Sequence, residues 1–106
     1  MKDLLCEVQA SVFMEYQRAT AKFGKFNNSP HESYAVIKEE REEAQDEAEF
    51  FDQMFEQYWE VVKRNNNAEQ RRLLPLMREA AEKAASEWIQ AAAMCFKATI
   101  PKEEQP

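Results

Sequence analysis

A chain of 106 residues supports one small domain with a modest hydrophobic core. Its net charge of −6, with no basic cluster larger than Lys63-Arg64 or Arg71-Arg72, argues against a nucleic-acid polymer or an anionic membrane as partner. Either would need a basic face.

One glycine and four prolines, set among abundant Glu, Ala, Lys, Gln and Met, point to an all-α protein, and no stretch carries a strand pattern. No apolar run approaches the roughly 18 residues of a membrane span. Met1-Lys2-Asp3 leads into an amphipathic segment containing Glu7 and Gln9, unlike a signal peptide. The expectation is a single helical domain over residues 1–100, soluble and cytoplasmic, followed by a charged, frayed tail over residues 101–106. Cys6 and Cys95 lie far apart in apolar helical patterns without metal-ligand spacing. They read as buried free thiols of a reducing compartment.

The first helix is expected from about Lys2 to Lys22. Leu4, Leu5, Val8, Val12, Met14, Ala19 and Phe23 give it one broad apolar face. Gly24 suits the left-handed position beyond its end, and Lys22 and Lys25 complement the negative end of the dipole. The second helix has a marked start: Ser29 as N-cap, Pro30 in the first helical position, and Glu32 where a capping box needs it. Positions 34, 37, 41, 44, 48, 51, 55, 58 and 62 then form a heptad-like seam, interrupted only by Arg41. This helix should reach Lys63 or Arg64, or break once within Phe50–Tyr58. Asn65-Asn66-Asn67 ends it, with Asn67 as the cap of the third helical region.

That last region is expected over about Ala68 to Lys97, with Pro75 either kinking it or dividing it in two. Ala81, Ala84, Ala85, Trp88, Ala92, Cys95 and Phe96 form a small-residue face open to close approach by another helix. Met54, Phe55, Tyr58 and Trp59 exceed what one three-helix chain covers, which points to a homodimer interface. The fold class is thus an all-α bundle of three to four long helices, completed by homo-oligomerisation into a dimer or tetramer.

Chemistry concentrates in residues 39–49, where seven carboxylates face a single arginine, Arg41. Like charges three and four positions apart repel on a helix, so this density calls for compensation. A bound divalent cation is one answer, since Mg²⁺ and Mn²⁺ prefer carboxylate oxygens and water. A solvated acidic face is the other. Glu40, Glu43 and Glu47 share one face of the helix. A second helix must supply further ligands, and Glu87, in the most apolar part of the chain and one turn before Gln90, is the natural source. A di-iron carboxylate bundle fits poorly, because it wants two Glu-x-x-His pairs and the chain has one histidine, His31.

Three segments together resemble the MazG-like branch of the all-α nucleoside triphosphate pyrophosphohydrolases, in its short single-domain form. They are Lys22-Phe23-Gly24-x-Phe26, then His31-Glu32-x-Tyr34-Ala35-Val36-Ile37-x-Glu39-Glu40-x-x-Glu43, then Glu87-x-x-Gln90-Ala91-Ala92-Ala93-Met94. The resemblance runs from about Lys22 to Phe96. It implies a metal-dependent cleavage of an NTP or dNTP between the α and β phosphates, giving a monophosphate and pyrophosphate. Carried over by position, Glu40 and Glu43 match the acids of an ExxE motif, Glu39 the glutamate that commonly precedes them, and Glu87 the first acid of a later ExxD motif. Mg²⁺, or Mn²⁺, would be held by Glu40, Glu43, Glu87 and Gln90, with Glu39 or Glu47 orienting the attacking water. Lys22, Lys25, His31 and Arg41 are the candidates for substrate contact. The chain departs from the family at Gln90, where Asp is usual, at Arg41, where an apolar residue is usual, and in the longer gap between Glu43 and Glu87. Gln90 and Arg41 motivate the alternative of an inactive bundle that binds nucleotide or protein without cleaving.

Overall fold

The computed structural model describes residues 2–100; the charged tail expected over 101–106 lies outside them. Three helices account for nearly all of the described residues: α1 (Lys2–Phe23), α2 (Pro30–Lys63) and α3 (Asn67–Ala98). The fold is an all-α helix bundle, with no strand among the described residues.

The breakers act as their chemistry demands. Gly24 takes a φ of 92°, a conformation costly to any residue with a Cβ, and its N–H closes the last turn of α1 on the Thr20 carbonyl. Ser29 caps α2 by accepting the Glu32 N–H at 3.1 Å. The reciprocal half of the capping box is absent, because Glu32 instead accepts from the Asn28 amide at 2.9 Å. Asn65 ends α2 in the left-handed region at φ 56°, which asparagine tolerates better than most residues. Asn66, rather than the expected Asn67, then caps α3, its side-chain oxygen accepting the Glu69 N–H at 3.1 Å. α2 continues through Phe50–Tyr58 without a break, and α3 through Pro75. The buried side chains of Leu73 and Met77, on either side of the proline, anchor the turn that the missing N–H weakens.

The packing resolves into two compact units. One is the α2–α3 hairpin over Glu42–Ser86. Its core is Met54, Leu73, Met77 and Ala80, flanked by Phe51, Tyr58 and Val61. Positions 51, 54, 58 and 61 of α2 and 73, 77 and 80 of α3 each alternate by three and four, the spacing of two helices meeting along one stripe. Leu73 is the largest fully buried side chain among the described residues, its burial contributing about 2 kcal/mol. Met54 and Tyr58 therefore belong to this core, whereas Phe55 and Trp59 remain exposed.

The other unit comprises α1, α2 as far as Arg41, and α3 from Glu87 onward. Tyr16 of α1 is buried and meets the Phe96 ring edge-on at 4.6 Å, with Phe13 completing an aromatic triangle at 6.1 and 6.2 Å. These contacts set α1 against the C-terminal part of α3.

Several expectations about faces are corrected. Leu4, Leu5, Val8, Met14 and Phe23 of α1 are exposed; of the expected face Val12 and Ala19 pack inward, joined by Glu15 and Tyr16. On α3, the stripe through Ala81, Ala85, Trp88, Ala92 and Cys95 faces outward, while Ala80, Ala91 and Ala93 are buried. Cys6 and Cys95 are free thiols, as expected, but both are exposed.

Candidate metal centre

The inward stripe of α2 is one residue off the expected seam over part of its length. The residues at least half-buried at three-four spacing are Ser33, Ile37, Glu40, Ala44, Glu47, Phe51, Met54, Tyr58 and Val61. Arg41, assigned to the seam by position, is exposed, and Glu40 occupies the inward place. The matching stripe of α3 reads Gln70, Leu73, Met77, Ala80, Ala84, Glu87, Ala91, Met94. Each helix thus breaks its apolar stripe with glutamate. Long side chains tolerate this position when the carboxylate finds donors or a cation.

These breaks meet. The carboxylates of Glu40, Glu43 and Glu87 offer oxygens that all lie within 4.8 Å of one another. Glu40 and Glu87 are half-buried; Glu43, one turn along α2 from Glu40, is exposed. Gln90, one turn along α3 from Glu87, sees only acceptors in front of its amide nitrogen. So oriented, it donates to Glu40 at 2.8 Å and to Glu87 at 3.1 Å, tying the two carboxylates together. A half-turn of the amide would present its oxygen instead. The nearby cations of α3 are engaged elsewhere, Lys83 with Glu79 at 3.3 Å and Arg78 with Glu82 at 3.9 Å.

The donor set suits a hard cation. Oxygens that share one Mg²⁺ at its usual bond length stand about 3 to 4 Å apart, within reach of small side-chain adjustments here. Glutamate and amide oxygens are also the ligands that Mg²⁺ and Mn²⁺ prefer.

Beside the carboxylates opens a cavity of about 260 Å³, walled by Glu40 and Gln90, by Met94 of α3, and by Glu15, Arg18, Ala19, Lys22 and Phe23 of α1. Arg18 and Lys22 stand four residues apart and line the same space as Glu40, the one member of the carboxylate cluster in its wall. Arg18 is paired with Glu15. Lys22 also sits 5.1 Å from the Phe23 ring centre. Composition did not single out Arg18 or Glu15. Their signal is the three- and four-residue spacing of Glu15, Arg18 and Lys22 along one side of α1.

The remaining candidates lie apart from this constellation. Glu39 is exposed and outside the three-carboxylate cluster. Lys25 packs over the Phe26 ring at 5.8 Å and does not line the cavity. His31 is exposed in the first turn of α2. Arg41 is exposed and forms no ion pair among the described residues, so it does not neutralise the acids from within the chain.

Comparison with known protein families, with curated proteins and with solved structures yields no match to this chain.

Proposed function

We propose that this protein is a Mg²⁺-dependent nucleotide pyrophosphohydrolase of the MazG-like kind, which converts an NTP or dNTP to the monophosphate and pyrophosphate. One observation carries the reading: three glutamates converge from two helices within 4.8 Å, and one of them, Glu40, lines a cavity together with two cationic side chains. Acids alone would serve a metal, and cations alone an anion. Their juxtaposition suits a metal-bound polyphosphate, where both signs of charge are needed.

Glu40, Glu43 and Glu87 would hold the cation, and Mn²⁺ would substitute for Mg²⁺. When bound, the ion neutralises phosphate charge and polarises the phosphorus–oxygen bonds. Arg18 and Lys22 bind and orient phosphate oxygens, Arg18 by exchanging its Glu15 partner for substrate. Glu47, half-buried one turn beyond Glu43, or Glu39 orients a water for attack. Phe23, Ala19 and Met94 form the apolar wall of the cavity, against which a nucleoside can lie. The apolar side chains left open at Leu4, Leu5, Phe55, Trp59 and Trp88 fit assembly into a homo-oligomer.

The test is product analysis on a panel of canonical and modified NTPs and dNTPs, in Mg²⁺ and in EDTA. Monophosphate and pyrophosphate in equal amounts, abolished by EDTA, is the expected outcome. No turnover of any substrate by folded protein would defeat the reading.

A second reading has its own support. The Gln90 amide already bridges Glu40 and Glu87, which is how a chain relieves two acids without a metal. On that reading the bundle binds a nucleotide or a protein without cleaving. Activity that appears only in Gln90→Asp would favour it.

A further inference from the structure

A second cavity lies in the same unit and shares no residue with the one beside the carboxylates. It encloses about 400 Å³ between the α1–α2 connection, the first turns of α2 and the end of α3. That volume suits a small organic ligand. The residues of its wall that matter are Ser33, Tyr34, Ile37, Lys97 and Ile100.

Lys97 is the informative member. It is the one buried polar or charged residue among those described, with 5% of its surface exposed. Its side chain has no hydrogen-bond or ion-pair partner among them. No side-chain nitrogen is sealed from open space without a partner, so the Lys97 ammonium keeps contact with space, and the space its side chain lines is this cavity. Its place in the last turn of α3 lets it complement that helix's dipole. The dipole leaves its N–H donors, which face the cavity, without a protein acceptor. An ammonium on a cavity wall that holds no Asp or Glu suits an anion.

The opposite wall favours one. The 34-residue helix α2 begins there, so the cavity borders its positive end. Its first-turn amides are largely engaged: Ser29 takes the Glu32 N–H on its hydroxyl and the Ser33 N–H on its carbonyl. The Ser33 hydroxyl is one donor left over. It accepts from the Asn27 amide at 2.8 Å, which leaves its own proton to give. Glu32, the acid of this turn, is bonded to Asn28 and is not part of the wall. Around this polar corner stand Tyr34, Ile37 and Ile100, an apolar and partly aromatic surround.

We infer that this cavity binds a small molecule carrying an oxyanion, a phosphate monoester or a carboxylate, on an apolar or aromatic body. The anionic group seats against Lys97 and Ser33, and the body against Tyr34, Ile37 and Ile100. This site stands independently of the pyrophosphohydrolase reading.

The test is calorimetric titration of the full chain in EDTA with phenyl phosphate, benzoate and inorganic phosphate, with amide NMR shifts locating the ligand. Phenyl phosphate or benzoate should bind more tightly than inorganic phosphate and shift residues 33–37 and 97–100. The tighter of the two aromatic anions identifies the oxyanion class. Lys97→Met should weaken that binding at least tenfold, roughly the worth of one charge-assisted contact. Tyr34→Ala, at an exposed position, should bring the aromatic ligand's affinity down to that of inorganic phosphate. Three results would overturn the inference. They are no binding by wild type at millimolar ligand, shifts confined to the region of Arg18 and Lys22, or undiminished affinity in folded Lys97→Met. Should Lys97→Met not fold, the wild-type shift map and Tyr34→Ala decide the matter on their own.

Discussion

Replacing Glu40 with glutamine separates a metal centre from a merely acidic surface, because in Mg²⁺ the two predict opposite signs. Glu40 sits on the inward stripe of α2, with Glu43 and Glu87 oxygens within 4.8 Å. At that distance two unit charges repel by about 3 kcal/mol in an effective dielectric of roughly 20. Exposure of Glu43 screens its share, and the Gln90 amide offsets part of the repulsion from Glu87. The net relief in Glu40→Gln, without metal, should be about 1 kcal/mol. For a domain of this size that raises Tm by about 4–8 °C. Mg²⁺ should reverse the order. Wild type gains about 2.7 kcal/mol at a hundredfold excess over Kd, whereas the variant, having lost a ligand, gains far less. Thermal melts followed by circular dichroism, in EDTA and across a Mg²⁺ series, read both effects. A variant that responds to Mg²⁺ as strongly as wild type, and so keeps its advantage across the series, would refute the reasoning.

Further predictions concern the site and the scaffold. Arg18→Ala should raise KM for a nucleoside triphosphate while leaving Mg²⁺-induced stabilisation intact, since Arg18 faces the cavity and is not among the carboxylates; steady-state kinetics beside metal-dependent melts checks this. Leu73→Ala, at the most completely buried large side chain of the hairpin, should cost about 3 kcal/mol in denaturant unfolding. Asn66→Ala removes the acceptor of the Glu69 N–H and should cost about 1 kcal/mol, with Asn67→Ala nearly neutral by comparison. Glu60 is held below the ordinary carboxylate range by its hydrogen bond to Lys63, by the Lys63 charge, and, more weakly, by Arg64. A lowered value means stabilisation present at neutral pH and lost as pH falls through the acid range. Because Glu60 is exposed, Glu60→Gln should leave Tm nearly unchanged at any salt concentration.

The helices were legible because their punctuation is local. Gly24, the Ser29-Pro30 pair and the Asn65–Asn67 run each act through backbone geometry or one side-chain acceptor, and the sequence displays both. Faces were less legible, because apolarity does not by itself say which stripe is buried. The seam through positions 41 and 55 follows an apolar pattern that Arg41 interrupts, whereas the chain turns Glu40, Glu47 and Met54 inward. The cause is the candidate site itself: acids placed on the inward stripe disguise it. The small-residue face of α3 misled in the same way, since alanines lie on every side of that helix and only Ala80, Ala91 and Ala93 are buried. The carboxylate triad was legible, as Glu40, Glu43 and Glu87 do come together. The basic half of the cavity was not. Arg18 reaches it through the packing of α1, which depends on Tyr16 meeting Phe96, a contact across 80 residues of chain.

The most direct test of the metal centre is paramagnetic broadening of amide resonances by substoichiometric Mn²⁺. If Glu40, Glu43 and Glu87 hold one cation, broadening will centre on residues 40–43 and 87–90 and will be displaced by excess Mg²⁺. Diffuse broadening spread over the exposed acids at Glu49, Asp52 and Glu56 as well would contradict the account, and would mark residues 39–49 as a solvated acidic face.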